Sequence, residues 1–450
     1  MQRQSLFTSV KCVSAYASAA LSTSTTTSKN SFMGRHRPPL GNSSGSSVSS
    51  SGHHRHRCLS TMTTHTSLMP SSASSDAEPM KFNPKRVLLL SKITRLEFER
   101  RRHPNLNEAE LENLLRTRGS DYAGLRQKHE HHWEFLDTVK GELHRAGIET
   151  KIVKRFNYNE EVIQWADAIF SAGGDGTFLL AASKIKTSGK AVIGINTDPT
   201  GSEGHMCFMR KKPAEEFAGA LKRLLSGDFE WLWRQRIRIS LVNGNLDDPV
   251  ELHDQELHVD TDDSTGTKLS EILSKESRFP LLALNEAFIG ESQSSRVSYY
   301  EIQFDSEPMI KQKSSGITIC TGTGSTSWHF NINKLTNQCV TELIGILKDS
   351  FNVGIEPSKE NVQHIVDQFN SRLIFEPDHN RMAYSVRDAV WNATFPRVAP
   401  RGFADKIRVK SRCFDASLVI DGGISYKFND GMEAVLEMHP EDALRTVILS

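Results

Sequence analysis

"AIFSAGGDGTFLLAASKIK", residues 168–186, sets an apolar run, three glycines around one aspartate, and a helix-forming stretch in immediate succession. The run ending at Ala172 is short and bounded by glycine, as a buried strand is. Thr177–Lys186 reads as a helix. A strand that hands its loop straight to a helix belongs to a βα unit. In open α/β sheets such a loop lies at the C-terminal edge, where ligands bind.

The same alternation extends in both directions. "KRVLLLSK" (85–92) and "IETKIVKR" (148–155) read as strands, separated by a helical region over 94–147 that closes at Gly147. "EEVIQWAD" (160–167) is a short amphipathic helix, "AVIGINTD" (191–198) a further strand, and Pro213–Gly227 a further helix. This pattern predicts a Rossmann-like α/β domain over 81–232 with a parallel sheet. From "RQRIRISLV" (234–242) onward strands dominate: "LLALNEAFIG", "RVSYYEIQFD", "SGITICTGTG", "RLIFEP" and "ASLVIDGGISYKF". Turn signals between them predict a mostly antiparallel, β-sandwich-like domain over 233–435. Residues 253–278 read as a loop insertion and 331–370 as a helical one. Residues 436–450 are expected to return to the first domain as a final strand.

Composition narrows the function. Against 55 Lys and Arg stand 54 Asp and Glu, a formal charge of +1, which argues against binding to nucleic acid by bulk electrostatics. No stretch approaches the roughly 18 apolar residues of a membrane span. The six cysteines (Cys12, Cys58, Cys207, Cys320, Cys339, Cys413) form no CxxC pair or zinc spacing and read as reduced thiols. In "KHEHHWEF", His129, His131 and His132 read as a solvated helix face rather than a metal site. Residues 1–75 contain no acid before Asp76, are rich in Ser and Thr, and carry Arg3, Lys11, Lys29, Arg35, Arg37, Arg55 and Arg57. That is the composition of an organellar transit peptide, mitochondrial in preference to plastid, with a plain disordered tail as the alternative. Residues 1–80 are therefore expected to be leader and linker.

The glycine loop carries the chemistry. Free amides and the dipole at a helix N-terminus favour a phosphate. Gly173, Gly174 and Gly176 are expected to permit positive φ and close approach of backbone to a polyanion. Asp175 has the wrong charge for binding phosphate alone; it suits accepting a proton from a hydroxyl nucleophile, or orienting it. A Gly-Asp-Gly turn also occurs with no chemical role. No GxxxxGK[ST] is present, so this is not a P-loop. "LNEAFIG" (284–290) sets Asn285 beside Glu286 in an apolar strand, a pair able to read a ribose hydroxyl or a base edge. "CTGTGSTSWHF" (320–330) is a second loop of hydroxyls and free amides. The aspartate of "VIDGGISYKF", Asp421, reads as a hairpin turn.

The motifs "GGDGT" (173–177), "LNE" (284–286) and "TGTGST" (321–326), in this order, resemble the NAD kinase family. "IGINTDPTGSEGH" (193–205), "WLWRQRIRI" (231–239), "IGESQSSRVSYYEI" and "KQKSSG" resemble its mitochondrial branch. The resemblance implies transfer of a phosphoryl group to the 2′-hydroxyl of the adenosine ribose of NAD. ATP is the implied donor, with a divalent metal such as Mg2+; some members use inorganic polyphosphate. It implies an α/β domain followed by a β-sandwich-like domain, usually in a homodimer, here in the mitochondrial matrix after leader cleavage. By motif, Asp175 serves the 2′-hydroxyl, and Gly173, Gly174, Gly176 and Thr177 the donor phosphates. Asn196, Asn285, Glu286, Ser315, Thr323, Ser325 and Thr326 would contact NAD; no side chain is assigned to the metal. Ser315 stands where the family usually places a nicotinamide-contacting Asp. Arg236, Arg238, Lys311 and Lys313 are candidates to neutralise the moving phosphoryl group.

Two rivals share part of this pattern. Lipid kinases of the diacylglycerol and sphingosine type carry GGDGT, but they lack the Asn-Glu strand and the second loop. A non-catalytic dinucleotide binder would have no use for Asp175.

Overall fold

The parallel strands β1 (Arg86–Ser91), β2 (Glu149–Lys154), β3 (Ala168–Ala172), β4 (Ala191–Ile195) and β5 (Cys207–Met209) run in the order β2-β1-β3-β4-β5. The computed structural model describes residues 82–243, 249–252 and 281–449; the expected leader (1–80) and loop (253–278) lie outside them.

Two-residue periodicity decides what covers the sheet. Val87 and Leu89 pack with Phe170 and Ile193 beneath helices α3 (Tyr122–Arg145) and α6 (Phe217–Ser226). Leu88 and Leu90 face the opposite way, onto Ile163 of α4 (Glu160–Trp165) and Phe178, Ala181 and Ala182 of α5 (Asp175–Ser183). A strand buried on both faces must be apolar throughout, as the run Val87–Leu90 is. Strand order reverses between β1 and β3, the switch point at whose C-terminal edge open α/β sheets bind their ligands.

The helical region 94–147 divides into three: α1 (Arg95–Arg102), α2 (Glu108–Thr117) and α3. Thr94 with Glu97, and Asn107 with Glu110, form complete capping boxes, and Asp121 caps α3. His132 corrects the expectation of a solvated histidine face. His131 is exposed, but His132 is wholly buried, its ring nitrogens bonded to Ser91 Oγ at 2.9 Å and Thr197 Oγ1 at 2.8 Å. α3 lies across the ends of β1 and β4, and His132 is the polar residue that meets their terminal hydroxyls.

Two antiparallel sheets follow. The seven-stranded sheet runs Arg401–Ala404, Met382–Val386, Ile317–Cys320, Glu286–Glu291, Ala416–Ile420, Ile424–Lys427, Val250–Glu251. The six-stranded one runs Ile310–Ser314, Ser298–Phe304, Lys406–Ser411, Glu433–Met438, Ile237–Asn243, Leu281–Ala283. They share one core, in which Ala287, Ile289, Ile319 and Leu418 meet Ile237, Ile302, Ile407 and Leu436. This is the sandwich-like arrangement expected from the turn signals.

"RLIFEP" (372–377) is not a strand. Its backbone is engaged by loops instead: Phe375 N donates to Ser325 Oγ, and Pro377 O accepts from Gln235 N. Met382–Val386 is the strand that pairs with Ile317–Cys320. Leu444–Ile448 pairs antiparallel with Glu230–Arg234, and its Val447 enters the core under α3 and α6.

Burial, with the nearby Lys92 charge, pushes the His132 pKa from 6.5 down to about 3. The folded state thus holds this ring neutral where the unfolded chain would protonate it. The stability it contributes is complete above about pH 6.5 and is lost as pH falls toward 3, at about 1.4 kcal/mol per pH unit. Chemical denaturation of His132→Gln at about pH 7 and about pH 5 should show a smaller loss on acidification than the parent. Equal losses would refute this account.

Candidate active site

The glycine loop sits on the C-terminal edge of the parallel sheet. Lys92 N donates to Ala172 O, and Gly173 N to Ile195 O, so the ends of β1, β3 and β4 are stitched together under the glycine loop. Gly174 is the N-cap of α5 and Asp175 its first residue. None of Gly173, Gly174 and Gly176 has positive φ, which corrects the expectation of left-handed backbone. Space is the requirement. A Cβ on Gly173 would stand 2.3 Å from Thr177 Oγ1 and 3.0 Å from Lys92 Cβ; one on Gly174 would stand 2.4 Å from Ser202 Oγ. Gly176 is exposed and would meet nothing within 4 Å, leaving the mouth of the helix open.

Asp175 is held, not loose. Its Oδ1 accepts the amide of Met206 at 2.8 Å and its Oδ2 that of His205 at 3.1 Å. Gly204, at φ +63°, turns those amides inward, and a Cβ there would strike Asn196 Nδ2 at 2.7 Å. Asn196 itself is fully buried. Its amide donates to Ser202 O and Arg210 O, while its Oδ1 accepts from Asp198 N. It shapes the turn that orients Asp175 and presents no free amide. Lys92 pairs with Asp198 at 3.3 Å beside this loop; burial lowers the Lys92 pKa despite that partner.

The other two motifs pack against α5 and against each other. Leu284 packs in the same core cluster as Phe178 and Met206, which brings the "LNE" segment against α5. Asn285 and Glu286 are buried, and among the described residues Asn285 Oδ1 and Glu286 Oε2 have no hydrogen-bond partner. Such orphaned atoms are costly unless a ligand meets them. Burial, with the charge of Asp421, pushes the Glu286 pKa up to about 8.

Asp421 does form the expected hairpin turn, but its side chain also holds the site. At φ +49° its carboxylate accepts the amides of Leu284, Asn285 and Glu286 at 2.9, 2.7 and 3.1 Å. Gly324 packs so tightly on this segment that a Cβ would lie 2.2 Å from Asn285 O.

The hydroxyls of the second loop divide by role. Ser325 is fully buried and spent on Gly322 O and the Phe375 backbone, so it pegs the loop. Thr326 bonds back to Thr323 O. Thr323 Oγ1 accepts from Arg234 at 3.3 Å. Ser315 lies at the other end of the strand leading into this loop, its amide bonded to Arg387 O, and does not join the cluster around Asp175.

The cation candidates need correction. Arg236 is buried on the carbonyls of Asp442 and Ile185, and Arg238 pairs with Asp442 and Glu441. Lys311 is exposed on the outer strand Ile310–Ser314, and Lys313 sits over the Tyr299 ring. The arginine that touches both loops is Arg234, between Phe178 and Thr323. In "WRQRIR" all three arginines look alike, so sequence offered no signal to choose it.

Bare amides for an anion beside a carboxylate for a hydroxyl are the equipment of a small-molecule kinase. Known proteins agree. The family model for the ATP-NAD kinase N-terminal domain matches residues 116–229. "NAD kinase 2, mitochondrial" of Homo sapiens is 42% identical over 385 residues, covering 82% of this chain and 85% of that protein. Its counterpart in Xenopus tropicalis is 43% identical over 391 residues, covering 82% and 91%. A crystal structure of an NAD kinase from Archaeoglobus fulgidus in complex with ATP is 16% identical with a TM-score of 0.45, covering 81% of this chain and 93% of that one, a likeness too loose to place any residue. The chain belongs to the NAD kinase family.

Replacing Asp421 by Ala would strand three buried amides, each worth about 1–3 kcal/mol when unsatisfied. Asp421→Ala should lose at least about 2 kcal/mol in urea denaturation and bind NAD more weakly, with Asp421→Asn intermediate. Parental stability in Asp421→Ala would remove this carboxylate from the account.

Proposed function

We propose that this chain transfers the γ-phosphoryl group of ATP to the 2′-hydroxyl of the adenosine ribose of NAD, making NADP in mitochondria. The observation that carries the reading is the held carboxylate of Asp175 at the start of α5, together with the unpartnered atoms of Asn285 and Glu286 on the segment that packs against α5 through Leu284.

The backbone donors bonded to Asp175 leave further lone pairs on its oxygens for an incoming hydroxyl. In the step itself the ribose 2′-oxygen forms a bond to the γ-phosphorus as the bond from that phosphorus to the ADP oxygen breaks. The hydroxyl proton passes to Asp175 and ADP leaves with the electron pair. The amides at the start of α5, reached past Gly173, Gly174 and Gly176, support donor phosphates, with Thr177 beside them. Asn285 and Glu286 hold the acceptor, and Thr323 and Thr326 line the same side. Asn196 and Ser325 act by shaping the two loops. Ser315 is kept as a contact to the nicotinamide end.

A divalent cation such as Mg2+ is expected with ATP and would supply charge neutralisation at its phosphates. Among the described residues no group of three or more His, Cys, Asp or Glu stands ready to hold it, and it is assigned no protein ligand. Inorganic polyphosphate, which presents similar terminal anions, is the alternative donor. A homodimer, and entry to the matrix through a cleaved leader, complete the proposal. The leader rests on the acid-free run before Asp76.

Against a lipid kinase stand the polar Asn285–Glu286 pair and the hydroxyl loop; against a pure binder stands Asp175. Asp175→Asn retains one acceptor oxygen for the Met206 amide and leaves the exposed His205 amide to water, so its melting temperature should fall by no more than a few degrees. Its turnover with NAD and ATP should fall by about 10²–10⁴-fold, the usual worth of a general base; near-parental turnover sinks the role. Deleting residues 1–75 should leave activity unchanged in vitro and strand the protein in the cytosol. Mitochondrial import of the truncated protein would disprove the leader.

A further inference from the structure

Arg234 ends the strand Glu230–Arg234, opposite Leu444 of the closing ribbon. It is 8% exposed. Its guanidinium lies 5.9 Å from the centre of the Phe178 ring, one turn into α5 from Asp175, and its Nη1 donates to Thr323 Oγ1 at 3.3 Å. Among the described residues no carboxylate forms an ion pair with it, and its Nε is buried without a hydrogen-bond partner. Burial pushes its pKa down to about 10, with the Asp175 charge opposing that fall, so the group stays cationic at neutral pH.

A buried cation lacking a counter-ion is among the least stable arrangements in a fold. Arg236 is held by two carbonyls, though its Nη2 has no partner among the described residues, and Arg238 is held by two carboxylates. Arg234 has one hydroxyl and a ring face, and of the three it is the one set between α5 and the 321–326 loop. A guanidinium presents a planar fork of donors that suits phosphate oxygens.

We propose that Arg234 contacts the transferred phosphoryl group, its unmatched guanidinium receiving the charge that gathers on those oxygens between α5 and the 321–326 loop. This rests on the reading of the site as a phosphotransferase. When no anion is bound, the Thr323 hydroxyl and the Phe178 ring hold the guanidinium in place. When the donor arrives, the free Nε becomes available to a phosphoryl oxygen.

The test uses the full chain and three readouts: NADP formation from NAD and ATP, KM for NAD, and the rise in melting temperature caused by inorganic tripolyphosphate. Arg234→Gln should lower kcat by about 10²–10³-fold, toward the lower end of what arginines contribute in phosphoryl transfer. Its KM for NAD should stay within about threefold, and the tripolyphosphate-induced shift should vanish. Without ligand its melting temperature should match or exceed the parent's, because an unmatched buried charge has gone. Arg234→Lys should recover part of the rate. If Arg234→Gln does not fold, Arg234→Met, which leaves no polar atom behind, takes its place. A variant that keeps kcat within about threefold and still responds to tripolyphosphate overturns the proposal. A parent that responds to tripolyphosphate through Arg234 but makes no NADP would leave the anion site standing and remove the NAD reading.

Discussion

The Asp421 carboxylate, beneath its hairpin turn, accepts three successive amides and thereby sets where Asn285 and Glu286 stand. Almost everything at the acceptor side depends on that bond set. With those amides turned toward Asp421, the Asn285 carbonyl points the other way, against Thr321 N and Gly324. The second loop then has one way to pack, with glycine required at its closest approach. Asp175 is treated similarly by the amides of His205 and Met206. In both places backbone donors fix an acidic side chain, and among the described residues neither carboxylate forms an ion pair with Arg234, whose Nε keeps no partner.

Much of the architecture was legible because the inner parallel strands β1, β3 and β4 are apolar on both faces and stand out as continuous runs, while the edge strand β2 mixes polar and apolar residues. Strands β1 to β4 fall inside the runs that sequence picks out. The strand Cys207–Met209 is too short to be seen that way. "RLIFEP" shows the opposite failure: an apolar run whose backbone partners are a serine side chain and a neighbouring loop instead of a ladder. Local pattern carries no information about such long-range partners.

The site was legible in its motifs and less so in its division of labour. Polar residues in a conspicuous loop look alike until their hydrogen bonds are seen. Asn196 and Ser325 turn out to be internal struts, whereas Asn285 and Glu286 keep unmet atoms. His132 looked solvent-facing because its neighbours on α3 are polar, yet the ends of two strands lie over it. Arg234, Arg236 and Arg238 alternate with period two, but the first closes a two-stranded ribbon while the last lies in the sandwich. Their different surroundings follow from that change of sheet.

The ribbon of Glu230–Arg234 with Leu444–Ile448 has a temporal meaning as well. Arg236 reaches across 206 residues to the carbonyl of Asp442, just before that ribbon partner begins. Closing so wide a loop is entropically slow and comes late in folding. A growing chain can therefore hold its parallel sheet and glycine loop in place while the arginine beside them has no strand to lie against. The strand that carries Arg234 therefore gains its only ladder partner among the described residues once the last stretch of the chain is in place.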